Sequence, residues 1–148
     1  MNKHEALASL NSETGFFRHW MGCSQRMAIA QAIRGEEGEY FINLLIDMKY
    51  FIENMPRTYE TEKLQMKDKM VHLHYFGGSV DAWIVERDVG DSEYQAEIGP
   101  QHQAFGPITL CGESIGESEW GYISIQELIG NGVELDLYWT PKPVREVK

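Results

Sequence analysis

The sequence predicts an α+β fold in which N-terminal helices pack on one face of an antiparallel sheet of about five strands. Residues 39–55 carry apolar side chains at intervals of three and four, which is the period of one helical face. Lys69 to Asp88 instead contains an alternating run and a run rich in β-branched and aromatic residues, joined by Gly77-Gly78-Ser79, a pattern typical of an antiparallel hairpin. Further strand-like runs follow. Because the helical segments precede the strands, we expect two packed layers rather than alternating βαβ units.

Length and composition indicate one folded domain, residues 1–148, with a helical layer at 1–56 and the sheet at 69–140. With 148 residues, 43% of them hydrophobic, the chain can bury a core without a disulfide or a metal. Cys23 and Cys111 lie far apart and are interpreted as reduced thiols, with a single pairing of the two as the alternative. The polar N-terminus and the lack of an apolar run of about 20 residues predict a soluble, cytoplasmic protein that does not bind membranes.

Three helical segments are predicted in the first 56 residues. The first covers 3–10, the second runs from a Ser24 cap to about Arg34, and the third covers 39–55 and ends at Pro56. The third helix is expected to bury its apolar stripe against the sheet. That stripe consists of Phe41, Leu44, Leu45, Met48, Phe51, Ile52 and Met55, and the members named as packing on the sheet are Phe41, Leu44, Met48, Phe51 and Ile52.

Aromatic residues cluster between the first two helices, in Phe16-Phe17-Arg18-His19-Trp20. Such a cluster could stack a base or clamp a peptide. We favour the alternative, an aromatic plug between the helices and the sheet.

The hairpin is the first strand signal of the second half. Gly77 or Gly78 is expected to take a positive φ at its turn. An acidic loop is predicted over 89–103. A third strand follows over 104–111, where Pro107 indicates an edge position or a bulge.

Two more strands are expected to complete the sheet. One covers 120–125 and leads into a short helix at 124–129, which Gly130-Asn131-Gly132 terminates. The last strand covers 133–139 and alternates along its whole length. Its inward side chains are Val133, Leu135, Leu137 and Trp139. Its outward side chains are Glu134, Asp136 and Tyr138.

Several phrases of residues 70–147 resemble an uncharacterised family in their order and spacing. They are H-L-H-Y-F-G-G-S-V-D-A-W-I-V-E-R-D, Q-A-F-G-P-I-T-L, E-W-G-Y-I-S-I-Q-E-L and N-G-V-E-L-D-L-Y-W-T-P-K-P. The family is a domain of unknown function found on bacterial plasmids, integrative elements and phages. It has no established activity, so it supplies no catalytic residues. The resemblance implies a mobile-element setting, in which small acidic proteins often counter host defence or regulate element transfer.

Negative charge is concentrated in the predicted sheet. The net charge is −10, and residues 70–141 contain twelve carboxylates with Arg87 as their one cation. Such a field repels nucleic acid and attracts basic proteins. We therefore predict a non-enzymatic binding protein whose partner is basic, for example a nucleic-acid-handling host factor, and no direct binding of nucleic acid. The alternative is an acidic surface that serves solubility alone. The residues expected to contact the partner are Glu134, Asp136, Tyr138, Glu117 and Glu119.

His72 and His74 supply a different hypothesis, a small metal-dependent hydrolase or nuclease. Two residues apart on a strand, they project to the same face, and Asp81 or Glu86 on the neighbouring strand could complete a metal or acid–base site. The sequence contains no P-loop, dinucleotide fingerprint or H-E-x-x-H motif, and we expect no cofactor and no specific metal site. A third hypothesis is an assembly factor that acts by oligomerisation alone.

Overall fold

A computed structural model describes residues 1–88 and 103–148 and confirms the predicted α+β class. Its helices are α1 Lys3–Asn11, α2 Cys23–Arg34, α3 Gly38–Glu53 and α4 Ile125–Gly130. Its strands are β1 Met70–Val71, β2 Leu73–Gly77, β3 Val80–Ile84, β4 Glu86–Arg87, β5 Gln103–Thr109, β6 Glu119–Ser124, β7 Glu134–Leu135 and β8 Lys142–Pro143. The loop predicted over 89–103 lies outside the described residues except for Gln103. Within the described ranges, no helix is long and apolar enough to span a membrane.

Within residues 1–88 and 103–148, the main sheet contains six antiparallel strands. Its order is β6–β5–β3–β2–β7, and β4 continues from β3 along the same side of β5. Strand β1 does not extend β2, because Met70 and Val71 pair with Pro143 and Lys142 in a separate two-stranded sheet. The prediction of a single sheet is therefore wrong for residues 70–71, which belong to the smaller sheet. Strands β6 and β7 are the two ends of the strand order.

The N-terminal helices cover one face of the main sheet, as predicted. Leu45, Met48 and Ile52 of α3 are buried in the same cluster as Leu73 and Tyr75 of β2. Three residues that were expected to pack on the sheet are only half-buried. They are Phe41, Leu44 and Phe51. The face of α3 that packs most deeply is therefore centred on Leu45, Met48 and Ile52.

The aromatic cluster is a plug between the helices and the sheet, as we favoured. Phe17 and Trp20 are buried, and the backbone carbonyl of Trp20 accepts a hydrogen bond of 2.6 Å from the hydroxyl of Tyr75. This bond ties the segment between α1 and α2 directly to β2.

Side-chain caps stabilise the starts of α1 and α4, whereas α2 and α3 start without one. Asn2 and Glu5 form a reciprocal capping box at α1, and Ser124 accepts a hydrogen bond from the Glu127 backbone at α4. The prediction that Ser24 caps α2 is wrong. The cap is Gly22, which makes no side-chain hydrogen bond, and Ser24 is the second residue of the helix.

The predicted hairpin is confirmed. Strands β2 and β3 pair from Leu73 opposite Ile84 to Gly77 opposite Val80. Gly78 has a φ of 58°, the positive value that the tight turn was expected to need. Another positive φ, 72°, occurs at Tyr59, a residue type that rarely adopts it.

Pro107 lies at a bulge, one of the two situations predicted for it. Three residues of the β3–β4 segment, 83–85, lie opposite two residues of β5, 106–107, between the Ala82–Ile108 and Glu86–Phe105 pairs. Gly106 is required there, because a Cβ atom would overlap the carbonyl oxygen of Trp83.

The face of the sheet opposite the helices carries a second, smaller apolar cluster. Val71, Trp83 and Val85 are buried in it, and Trp139 of the C-terminal segment packs against them. Strand β7 therefore stops at Leu135, and the prediction of a continuous strand over 133–139 is wrong. Leu135 contributes to the helix-side cluster, whereas Trp139 contributes to the outer one, so the chain crosses the sheet edge between them.

Candidate functional site

His74 is held between two carboxylates on the outer face of the sheet. Its Nε2 lies 2.8 Å from Oδ1 of Asp81 on β3, and its Nδ1 lies 3.0 Å from Oδ2 of Asp136, just after β7. The three side chains retain 15%, 32% and 22% of their exposure, respectively. We call this group the His74 clamp. Ionised carboxylates only accept hydrogen bonds, so both contacts are hydrogen bonds only when both ring nitrogens carry protons.

Aromatic rings surround the imidazole of the clamp. Phe76 and Trp83 stack against it with centroid distances of 5.8 and 5.6 Å, and Trp139 lies 5.2 Å away with a tilted ring. The arrangement therefore fixes the imidazole between two carboxylates and among three aromatic rings.

The local sequence explains how Asp136 reaches the clamp. Its backbone N–H donates to the carbonyl of His74, which extends the β7 contact by one residue. Its Oδ1 then accepts the backbone N–H of Tyr138 at 3.0 Å, a turn that aspartate side chains favour. Trp139 is fixed in turn by an indole N–H bond of 3.0 Å to the carbonyl of Val71. Asp136 is consequently not a free outward carboxylate, as the predicted strand required.

His74 and Asp81 of the clamp line an open cleft of about 680 Å³. Trp83 and Trp139 line it together with both acidic and basic side chains, which are Asp81, Glu113, Glu146, Lys142 and Lys148. The ammonium of Lys142 sits 4.7 Å from the centre of the Trp139 ring. Because charges of both signs meet here, the cleft is not a concentrated acidic surface.

The structure does not assemble the predicted metal or acid–base group as a whole. Asp81 does join His74, but both ring nitrogens are already engaged, so metal binding or proton abstraction would require one of those bonds to break. His72 lies between β1 and β2, and burial lowers its pKa. Across residues 1–88 and 103–148, no three His, Cys, Asp or Glu side chains are placed to hold one metal ion.

Glu86, the fourth candidate of that group, belongs to a different network. Its carboxylate accepts the backbone N–H groups of Tyr59 and Thr61, each at 3.1 Å, and the hydroxyl of Thr61. Lys69 donates to the carbonyl and to the hydroxyl oxygen of Thr61, each at 2.8 Å. Glu86, Thr61 and Lys69 are all buried. A buried glutamate and a buried lysine are thus joined through one threonine.

The predicted partner-binding residues divide between the two ends of the strand order. Glu117 precedes β6 and Glu119 begins it, whereas Glu134 begins β7. Four strand spacings separate β6 from β7, which corresponds to about 19 Å. Glu134 and Tyr138 are exposed, but they do not form one surface with Glu117 and Glu119.

Three exposed carboxylates lie close together in the connection between β5 and β6, as three others do at Glu36, Glu37 and Glu39 around the start of α3. Residues 110–119, which we call the acidic connection, contain Glu113, Glu117 and Glu119, all exposed. Leu110, at its start, retains 65% of its exposure. No lysine or arginine occurs anywhere between residues 104 and 141. The sequence pointed to two of these glutamates but could not separate them from Glu134, which required the strand order.

Comparisons of this chain with family models, with curated proteins and with solved structures find no match.

Proposed function

We propose that this chain is a non-enzymatic binding protein that holds a basic, nucleic-acid-handling partner through the acidic connection. The observation that carries the proposal is the presence of three exposed glutamates within seven residues, in a stretch without any cation. Closely spaced exposed carboxylates offer arginine and lysine side chains a series of acceptors, as a phosphate backbone does.

Two physical features support this surface over the His74 cleft. Glu117 and Glu119 form no ion pair with a described residue, whereas Glu113 also lines the His74 cleft together with Lys142 and Lys148. The exposed Leu110 adds an apolar contact beside them, and mixed apolar and charged contacts are common at protein interfaces. Steering by the net negative charge would raise the association rate and make it sensitive to salt.

A role in countering host defence or in regulating element transfer would fit such a partner. That part of the proposal depends on the sequence resemblance described above, which implies a mobile-element setting. The partner itself is defined here only by its chemistry, a basic surface that normally contacts phosphates.

The proposal is tested by exchanging charge at matched places. Tagged chain is used to isolate partners from the native host, and calorimetry then measures the affinity of the captured protein for two variants. E117K/E119K changes the acidic connection, and E127K/E134K makes the same change of charge on α4 and β7. We expect the first variant to lose binding by at least about 100-fold and the second by less than about 5-fold, since rim charges far from the contact act only through the long-range field. Equal losses, or none, would reject the acidic connection as the interface.

A further inference from the structure

A small cavity lies above β4, β5 and β6, away from both the His74 cleft and the acidic connection. Its volume is about 230 Å³. The floor is a row of three side chains in direct register, Glu86 opposite Phe105 and Phe105 opposite Tyr122. The connector between α3 and β1 supplies the other side, with Tyr59, Leu64 and Met66. The cavity is therefore built by the fold itself rather than by one loop.

The polar groups of this cavity are almost fully used within the protein. Glu86 accepts three hydrogen bonds from Tyr59 and Thr61, as described above. Lys69 also lines the cavity, and among the described residues its ammonium has two hydrogen-bond acceptors, both on Thr61. An ammonium carries three N–H donors, so one donor of Lys69 is left for a molecule in the cavity.

A second donor lies at the mouth. The hydroxyl of Tyr122 donates to that of Tyr59 over 2.9 Å, which leaves the O–H of Tyr59 able to donate. Tyr59 holds its φ of 72°, a conformation that non-glycine residues keep only when their surroundings enforce it and that is common at ligand sites. The cavity thus presents donors from Lys69 and Tyr59, while three of the about four acceptor sites of the Glu86 carboxylate are already used.

The remaining walls are aromatic and apolar. Tyr122 retains 59% of its exposure, Tyr59 68%, Leu64 50% and Met66 54%, so large apolar surface surrounds an empty space. The Phe105 and Tyr122 rings meet edge to face at 5.6 Å. A flat ring lying between this pair and the connector would cover that surface. The volume suits one ring, because a cavity of about 150 Å³ accommodates benzene.

The charged side chains that line the cavity determine which single-ring molecules can bind there. Lys69 and Glu86 offset each other, and Glu62 adds a negative charge at the mouth. An anion would meet Glu62 and the nearby Glu86, and a cation would meet the ammonium of Lys69. We propose that this cavity is a binding site for a neutral, planar, single-ring molecule that bears a carbonyl acceptor. The ring packs on Phe105 and Tyr122, and the carbonyl accepts from Lys69.

Benzamide is the probe for this site, with three matched rings as comparisons. Calorimetry and two-dimensional NMR are run on the full chain with benzamide, benzoate, benzylamine and toluene. We expect benzamide to bind with a Kd of about 1 mM or lower, within the range that such fragments reach, and to shift the signals of Phe105, Tyr122 and Lys69. Benzoate, benzylamine and toluene should each bind at least about 5-fold more weakly. No binding of benzamide, or tighter binding of a charged ring, would overturn the proposal.

Two tyrosine variants locate the binding. Y122A removes the most exposed ring of the cavity floor. Y138A is the control, because it removes a tyrosine of similar exposure, 67%, that lies near β7 and away from the cavity. We expect Y122A to weaken benzamide at least about 10-fold and Y138A to leave it unchanged, with circular dichroism verifying that both variants are folded. An unchanged affinity in Y122A would place benzamide elsewhere and would contradict the assignment. None of these residues belongs to the acidic connection, so failure here leaves the partner proposal intact.

Discussion

Asp136 is the residue at which sequence and structure differ most. Alternation along a strand predicted an outward carboxylate, since Leu135 and Leu137 on either side are apolar. The structure instead ends β7 at Leu135 and turns the Asp136 carboxylate to His74. The pairing joins residues 62 positions apart, so local periodicity could not reveal it. By contrast, the positive φ expected at Gly77 or Gly78 depends on the local turn alone, and it was predicted correctly.

The clamp makes a prediction about stability. Replacing Asp136 with Ala removes a hydrogen bond to a charged group and leaves the His74 ring without its second carboxylate. We expect a loss of about 1.5–3 kcal/mol in the free energy of unfolding, measured with urea. Glu134, two residues earlier and exposed, is the matched control, and its change to Ala should cost less than about 0.5 kcal/mol. If the two substitutions lowered the free energy of unfolding equally, the clamp would make no contribution to stability.

His72 makes a prediction about pH. Burial lowers its pKa from the ordinary value of 6.5, so the folded state binds a proton less readily than the unfolded state. Its contribution to stability is therefore complete above about pH 6.5 and is lost as the pH falls below that value towards its folded-state pKa. Unfolding measured from pH 7.5 to 5 should show a shallower decline in H72Q than in the unchanged chain. A parallel decline in both proteins would contradict this account.

At the scale of elements, helix and strand types were predictable because each depends on a local period. The segments that became α1, α2, α3 and the β2–β3 hairpin each carry such a signal. It was less predictable which side chains of α3 pack most deeply. The rotation of a helix about its own axis depends on the elements that pack against it. Phe51 is half-buried for this reason, whereas Ile52 is fully buried. We therefore expect F51A to lower the free energy of unfolding by less than I52A does.

The bulge between the β3–β4 segment and β5 provides the sharpest test at this scale. Gly106 and Gly121 lie opposite each other on β5 and β6, but only Gly106 has a neighbouring backbone, the carbonyl of Trp83, where a Cβ would be placed. We expect G106A to destabilise the protein by at least about 3 kcal/mol, because the clash is with backbone atoms. G121A meets nothing within 4 Å, and we expect it to change stability by less than about 1 kcal/mol. Similar effects in urea unfolding would show that the close approach at Gly106 is not a constraint.

At the scale of the whole molecule, the uneven charge was visible in the sequence, but its position was not. Strand order places Glu117 and Glu119 about 19 Å from Glu134. Strand order depends on long-range pairing, which no local pattern encodes. The cavity above β4, β5 and β6 was missed for the same reason, because it depends on the register of three strands and on the path of the connector between α3 and β1.

The central claim is that the acidic connection occupies the surface with which a basic partner binds nucleic acid. The most direct test is a displacement titration, in which the captured partner is first saturated with fluorescently labelled DNA and the chain is then added. We predict that the anisotropy falls to that of free DNA near one equivalent of chain at low salt, and that E127K/E134K does the same. E117K/E119K should release little DNA. Persistence of the DNA complex, formation of a ternary complex, or binding of labelled DNA by the chain alone would contradict the account.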